Sequence, residues 1–190
     1  MKIGLFFGSF NPIHIGHLVI ANGILSQTDI QKVWFVVSPQ NPLKKDSDLL
    51  HAFDRFDLVR KAIDDNPDFA VSDIEFHLPK PSYTIDTLTH LQEKFPQHTF
   101  VLIIGEDNLL TFHRWKNYQA ILDYFELVVY PRPGTDTPHL KDHPKVTYAK
   151  VPLLDISATH IRRCLLEGKS IRYLVTDEVE RYIREKKFYL

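Results

Sequence analysis

Short apolar runs alternate along this chain with stretches in which apolar residues return every three or four positions. Ile3–Phe7, closed by Gly8, has the length and composition of a strand buried on both faces. So do Val33–Ser38, stopped by Pro39, and Thr99–Ile104, followed by Gly105. Phe69–Ile74, Glu126–Tyr130 and Val146–Lys150 predict further strands. Between them, Ile15–Ser26, Phe53–Ile63, Tyr83–Phe95 and Tyr118–Tyr124 predict helices. Thr159–Glu167 and Thr176–Lys186 predict two more near the end of the chain, the first stopped by Gly168. The polar stretch from Gln40 to about Leu50 and the Pro-, Gly- and Asp-rich stretch Arg132–Pro144 read as loops.

Strand and helix alternation, with strands apolar on both faces, predicts an α/β fold. Its sheet should be doubly wound and mostly parallel, with helices on both faces. In such folds ligands bind beyond the carboxyl ends of the strands, where the strand order reverses. Motifs that carry chemistry should therefore fall just after strands. The 190 residues, 44% of them hydrophobic, suffice for one core. Residues 1–190 are expected to form a single domain with a small helical portion from about 157 to 190.

Composition narrows the chemistry. A net charge of −1 gives no global attraction to nucleic acid or an anionic membrane. An anion site must come from locally placed cations and backbone N–H groups. The lone Cys164 excludes an intramolecular disulfide and a Cys-rich zinc site, and fits a reducing compartment. The apolar run at the N-terminus is far too short for a signal peptide or a membrane span. A soluble, cytoplasmic protein is expected; the sequence leaves its oligomeric state undetermined.

The first motif is Gly8-Ser9-Phe10-Asn11-Pro12-Ile13-His14-Ile15-Gly16-His17, between the first strand and the first helix. Gly8 permits a sharp turn and a close approach to a ligand. His14 and His17, three positions apart, share one face at a helix N-terminus. There they would add ring N–H donors to free amides and a favourable dipole. Gly16 between them is expected to leave room for a bulky ligand. Two ordinary surface histidines would look alike one at a time; the pair after a glycine turn favours an anion site. The second motif is Ile156-Ser157-Ala158-Thr159-His160-Ile161-Arg162. Ser157 is a good N-cap. Arg162 supplies a planar cation suited to phosphate oxygens. A capped helix with a solvated arginine is the plain alternative.

The first segment resembles the (T/H)xGH signature of the nucleotidyltransferase superfamily, and the second its ISxTxxR signature. The usual family form of the turn is Gly-Gly-(Ser/Thr)-Phe-Asp-Pro. Phe7 stands here for its first glycine and Asn11 for its aspartate, which leaves a hydrogen-bonding group without the charge. The resemblance implies a Rossmann-like nucleotidyltransferase fold and adenylyl transfer from ATP. It also implies that His14, His17 and Arg162 hold phosphates, with Ser157 and Thr159 assisting at the helix start. Gly8, Ser9, Phe10, Gly16 and Ile156 complete that ATP-side set. One of Lys44 and Lys45, with Lys44 preferred, could close over the triphosphate; the other is expected to be a solvated loop charge.

Three further segments bear on the acceptor. Pro81-Ser82-Tyr83-Thr84-Ile85-Asp86-Thr87-Leu88 is close to the SYT-x-x-T-L segment of nicotinate-nucleotide adenylyltransferases. Ile103-Ile104-Gly105-Glu106-Asp107 resembles their IIG-x-D segment, which implies nucleotide contacts for Gly105 and Asp107. Trp115 offers a flat face for a pyridine ring, and the matching family tryptophan packs there. Lys116 follows it, where some members have an aromatic residue. Tyr130-Pro131-Arg132-Pro133-Gly134 matches an (R)RPG segment and makes Arg132 a nucleotide-side candidate. Tyr83, Thr84 and Trp115 are the nicotinate mononucleotide candidates.

The resemblance thus implies transfer of the adenylyl group of ATP to nicotinate mononucleotide in NAD biosynthesis. The expected partners are these two nucleotides, with Mg²⁺ carried mainly by the ATP phosphates and no metal site built from the protein. Nicotinamide mononucleotide or phosphopantetheine as acceptor, or a non-catalytic nucleotide-binding domain, are the alternatives left open.

Overall fold

The predicted strands β1 (Lys2–Gly8), β2 (Lys32–Val37), β3 (Phe69–Ser72), β4 (Thr99–Gly105), β5 (Glu126–Tyr130) and β6 (Val146–Tyr148) lie in one sheet. The computed structural model describes residues 1–39, 49–132, 140–152 and 154–190. The strand order is β3-β2-β1-β4-β5-β6, and every pairing is parallel. The mostly parallel sheet expected from the pattern is wholly parallel across these strands. Chain direction across the sheet reverses between β1 and β4. There Leu5 has Trp34 as its neighbour on one side and Leu102 on the other.

The helices are α1 (Ile15–Gln27), α2 (Ala52–Ile63), α3 (Thr84–Lys94), α4 (Glu106–Leu110), α5 (Tyr118–Tyr124), α6 (Ala158–Leu166) and α7 (Asp177–Lys186). Alternate residues of each central strand feed two separate cores, because successive side chains leave a strand on opposite faces. Phe6, Phe35, Val37, Val101 and Ile103 pack with Ile24, Leu58, Ile161 and Ile183, beneath α1, α2, α6 and α7. Leu5, Val36, Phe100, Leu102 and Ile104 pack with Leu88, Leu109 and Ile121, beneath α3, α4 and α5. The continuous apolar runs of β1, β2 and β4 are thus explained: both of their faces are covered.

Short elements escape the apolar pattern: the 3₁₀ turn Phe112–Arg114 and two others. Glu106–Leu110 turns into α4 directly after β4, and Ile74–Phe76 forms a 3₁₀ turn where the pattern extends β3 to Ile74. Neither is long enough to show a helical period. Among the described residues no helix is long and apolar enough to cross a membrane.

Leu5 is fully buried in the central strand. Replacing it with alanine leaves a cavity in the core beneath α3, α4 and α5. Leu5→Ala should lower the unfolding free energy in urea by about 2–5 kcal/mol.

Candidate active site

The turn from Gly8 to His14 joins β1 to α1 at the reversal point of the sheet. A Cβ on Gly8 would meet the Phe10 ring at 2.8 Å, so the missing side chain admits that ring. Phe10, at φ 46°, buries its ring against Phe6, Phe35 and His17. Only its backbone can meet a ligand.

His14 is the N-cap of α1 and His17 lies in its first turn. Their rings stack with centroids 3.7 Å apart and planes 28° from parallel. The His14 amide donates to His17 Nδ1 at 3.3 Å. An accepting Nδ1 puts the His17 proton on Nε2, so the neutral ring keeps one donor. A Cβ on Gly16 would lie 3.0 Å from His14 Nδ1. The glycine therefore makes room for the His14 imidazole. Of the first three α1 amides, Ile15 donates to the Leu174 carbonyl and His17 to the His14 carbonyl, each at 2.9 Å. Gly16 alone has no such partner among the described residues, so the start of α1 has fewer free amides than its sequence implied.

Both imidazoles are held neutral. Burial, with Arg132 nearby, pulls His14 down to about 4. Burial, then His14, then Arg132 hold His17 well below the ordinary histidine value. His17 keeps some exposed surface, but its ring lies against Phe6 and Phe10, which accounts for the desolvation.

The second motif arrives from the far end of the chain. Ser157 caps α6, its Oγ accepting the His160 amide at 3.2 Å, as the sequence predicted. A Cβ on Gly16 would sit 3.8 Å from Ile156 Cβ, so the residue before the α6 cap lies close to the start of α1. Arg162 crosses to the first turn and donates from Nη1 to the Asn11 carbonyl at 2.8 Å. The Asn11 side chain accepts from the Tyr189 hydroxyl at 2.8 Å and from the Leu50 amide at 3.2 Å. The uncharged amide that replaces the family aspartate is thus a structural acceptor. Thr159 stands in the first turn of α6, exposed.

At the end of β4, Asp107 Oδ1 lies 3.6 Å from Arg132 Nε, and the Arg132 amide donates to Glu106 at 3.4 Å. The Arg132 guanidinium lies 5.3 Å from the Tyr130 ring centroid. Gly105 leaves space for Tyr130, whose hydroxyl would be 3.1 Å from a Cβ there. Gly105, Asp107 and Arg132 are thus gathered beside the two histidines. Lys44 and Lys45 lie outside the described residues, as do Pro133 and Gly134.

Between the ends of β1 and β4 opens a cavity of about 320 Å³. Gly8, Ser9 and Gly105 form one part of its wall, and Tyr83, Thr84 and Trp115 another. Tyr83 is the N-cap of α3. The Trp115 ring leans on Phe112 at 5.1 Å, and its buried Nε1 has no hydrogen-bond partner among the described residues. The three acceptor candidates therefore share one cavity with part of the ATP-side turn.

A cytidylyltransferase-like family model matches residues 5–164. A probable nicotinate-nucleotide adenylyltransferase of Cytophaga hutchinsonii is 60% identical over 189 residues, 100% of this chain and 98% of that protein. One of Flavobacterium psychrophilum is 50% identical, over 100% of this chain and 99% of its own length. This chain belongs to the nicotinate-nucleotide adenylyltransferase family. Its fold matches that of a Plasmodium falciparum nicotinic acid mononucleotide adenylyltransferase solved with NaAD, with a TM-score of 0.83 at 21% identity. That match covers 99% of this chain and 97% of the other.

The family motifs do not reveal every residue that builds this site. Ser38, Glu75, Asn108 and Arg114 also line the cavity, with Ser82 of the Tyr83 segment and Lys116, which follows Trp115. Glu75 is buried and accepts a hydrogen bond from Thr87 Oγ1 at 2.9 Å. Burial pushes its carboxyl up, opposed by the hydroxyls of Ser38, Thr87 and Ser82. Lys116 reaches Asp86 at 2.8 Å and lies 4.7 Å from the Tyr83 ring centroid. Arg55 is the largest omission. It is 0% exposed and donates to the backbone carbonyls of Ser9, Ser38, Pro39 and Leu50. Burial pulls it down to about 10, with Tyr189 acting the other way, so it stays charged at neutral pH. A signal existed: Arg55 falls on the α2 face shared by Leu58, Val59 and Ala62. An arginine on an apolar stripe needs internal acceptors.

The two imidazoles set a pH dependence. Above about pH 6.5 they are neutral in both folded and unfolded chains and contribute nothing. As pH falls further, the unfolded chain takes up protons that the folded one refuses, so stability declines, for His14 down to about pH 4. Melting temperatures measured from pH 8 to 4 should fall within that window, and His14→Gln should flatten part of the decline.

Proposed function

We propose that this chain transfers the adenylyl group of ATP to nicotinate mononucleotide, giving nicotinate adenine dinucleotide and pyrophosphate for NAD biosynthesis. The observation that carries the reading is the meeting of the two motifs. The His14–His17 turn, the start of α6 and the Asp107–Arg132 pair converge at the reversal point, beside a cavity with an aromatic wall.

A phosphate oxygen of the acceptor attacks the α-phosphorus of ATP. The bond from that phosphorus to the bridging oxygen breaks, and pyrophosphate leaves in line. No covalent intermediate on the protein is required. The chain contributes position and charge. His17 offers its Nε2 proton to a phosphate oxygen, and His14 stacks beside it. Arg162 and Arg132 neutralise charge that grows on the leaving group. A triphosphate against the imidazoles favours their protonated forms, reversing the effect of burial.

Mg²⁺ enters as part of the ATP substrate. Among the described residues no group of three His, Cys, Asp or Glu side chains is placed to hold a metal. The ion prefers phosphate oxygens and water.

The pyridine half fits the other end of the cavity. Trp115 and Tyr83 offer aromatic faces, Thr84 opens α3 with free amides, and Arg114 and Lys116 supply positive charge. A carboxylate is favoured there over a neutral carboxamide. With ATP and Mg²⁺, the purified chain should release pyrophosphate when given nicotinate mononucleotide. Its kcat/KM should exceed that for nicotinamide mononucleotide by at least about tenfold, the scale of one mismatched polar group. An equal or reversed ratio would remove the acceptor assignment. His17→Ala should cut kcat by at least about a hundredfold, the usual loss of one preorganised charge stabiliser. A near wild-type rate would move the phosphates elsewhere.

A further inference from the structure

We propose that Arg55 is a positioning residue for the ATP half of the site. It acts through the backbone of the turn after β1, without meeting a nucleotide itself. The inference rests on the adenylyl-transfer reading above.

Arg55 occupies a position that packing alone would give to an aliphatic residue. Its neighbours on the buried face of α2 are Leu58, Val59 and Ala62. Burying a guanidinium there is costly unless its donors are satisfied. Here they are satisfied, and by one kind of group. Nε donates to the Leu50 carbonyl at 2.8 Å. Nη1 serves the carbonyls of Ser9 and, at 2.8 Å, Ser38. Nη2 donates to the Pro39 carbonyl at 3.0 Å. Among the described residues its hydrogen-bond partners are backbone oxygens only.

Those oxygens belong to segments far apart in sequence. Ser9 lies in the turn that leads to His14 and His17, Ser38 and Pro39 follow β2, and Leu50 precedes α2. Ser9 and Ser38 also line the cavity. The planar fork therefore sets the spacing between two loops that form its wall. A lysine keeps the charge but presents one nitrogen, which cannot span these acceptors at once.

The same turn is tied from a second direction. Tyr189, whose hydroxyl feels both Arg55 and Arg162, donates to Asn11 Oδ1, while Arg162 donates to the Asn11 carbonyl. Arg55, Tyr189 and Arg162 thus support the turn from outside the cavity. A shift of about 1 Å in reacting groups is enough to cost a hundredfold in rate.

The experiment compares wild type, Arg55→Lys and Tyr189→Phe well below their melting temperatures. Turnover is measured at saturating substrates, and ATP affinity by calorimetry. Arg55→Lys should still unfold cooperatively, with kcat down at least about tenfold and ATP bound more weakly. The KM for nicotinate mononucleotide, set mainly by Tyr83, Thr84 and Trp115, should change less than that for ATP. Tyr189→Phe should shift the same quantities in the same direction, by a smaller factor. A variant that only melts earlier, with unchanged kcat and ATP affinity, would reduce Arg55 to a packing role. If Arg55→Lys does not fold, Tyr189→Phe decides by the same criteria. An inactive wild type overturns the adenylyl-transfer reading, whereas an active wild type with indifferent variants overturns only the positioning role. Calorimetry reads the ATP loss without turnover.

Discussion

A guanidinium buried under two loops makes the geometry of this cavity definite. Loops leaving the carboxyl ends of parallel strands carry backbone carbonyls that the sheet does not satisfy. The usual solution is water, which would leave the loops loosely placed. Here Arg55 supplies four donor contacts from inside the core, so the turn after β1 and the segment after β2 are bonded to the same group. The Ser38 amide adds a direct bond to the Gly8 carbonyl at 2.9 Å. The energetic cost of burying the charge falls on α2, on the far side of the loops from the cavity. Ligand-facing atoms are left free of that duty.

The electrostatics of the cavity follow from the same division. The chain as a whole carries almost no net charge, so attraction for a polyanion has to be local. Arg162 on α6 and Arg132 just after β5 bring positive charge to the reversal point of the sheet. The imidazoles between them stay neutral because they are desolvated and because another cation is close. Neutral rings hold donors in place without repelling the arginines. Glu75 works in the opposite sense, since burial disfavours its charge. Burial thus disfavours the charged form of Glu75 in the cavity wall and of the two imidazoles beside it.

Glycines show that a residue suited to a ligand can answer to its protein neighbours as well. Gly8 and Gly16 look like concessions to a ligand. The nearest obstacles to a side chain at either position are the Phe10 and His14 rings. Both glycines serve to pack aromatic rings that in turn shape the turn. The requirement for glycine is visible in sequence, but the group that imposes it is not.

What the sequence by itself determined was periodicity and punctuation. Continuous apolar runs at β1, β2 and β4 require covered faces, and strand–helix alternation then leaves a parallel sheet as the economical arrangement. Element positions, the Ser157 cap and the motifs around His14–His17 and Ser157–Arg162 were legible because each depends on neighbours within a few residues. The tertiary structure alone decided that Ile156 meets Gly16, that Arg162 reaches Asn11, and that Tyr189 bonds across 178 residues to the same asparagine. It alone made Arg55 a clamp and placed Glu75, Arg114 and Lys116 around one cavity. Such contacts join segments whose separation along the chain carries no local trace. Only the folded arrangement of sheet and helices brings them within hydrogen-bonding distance.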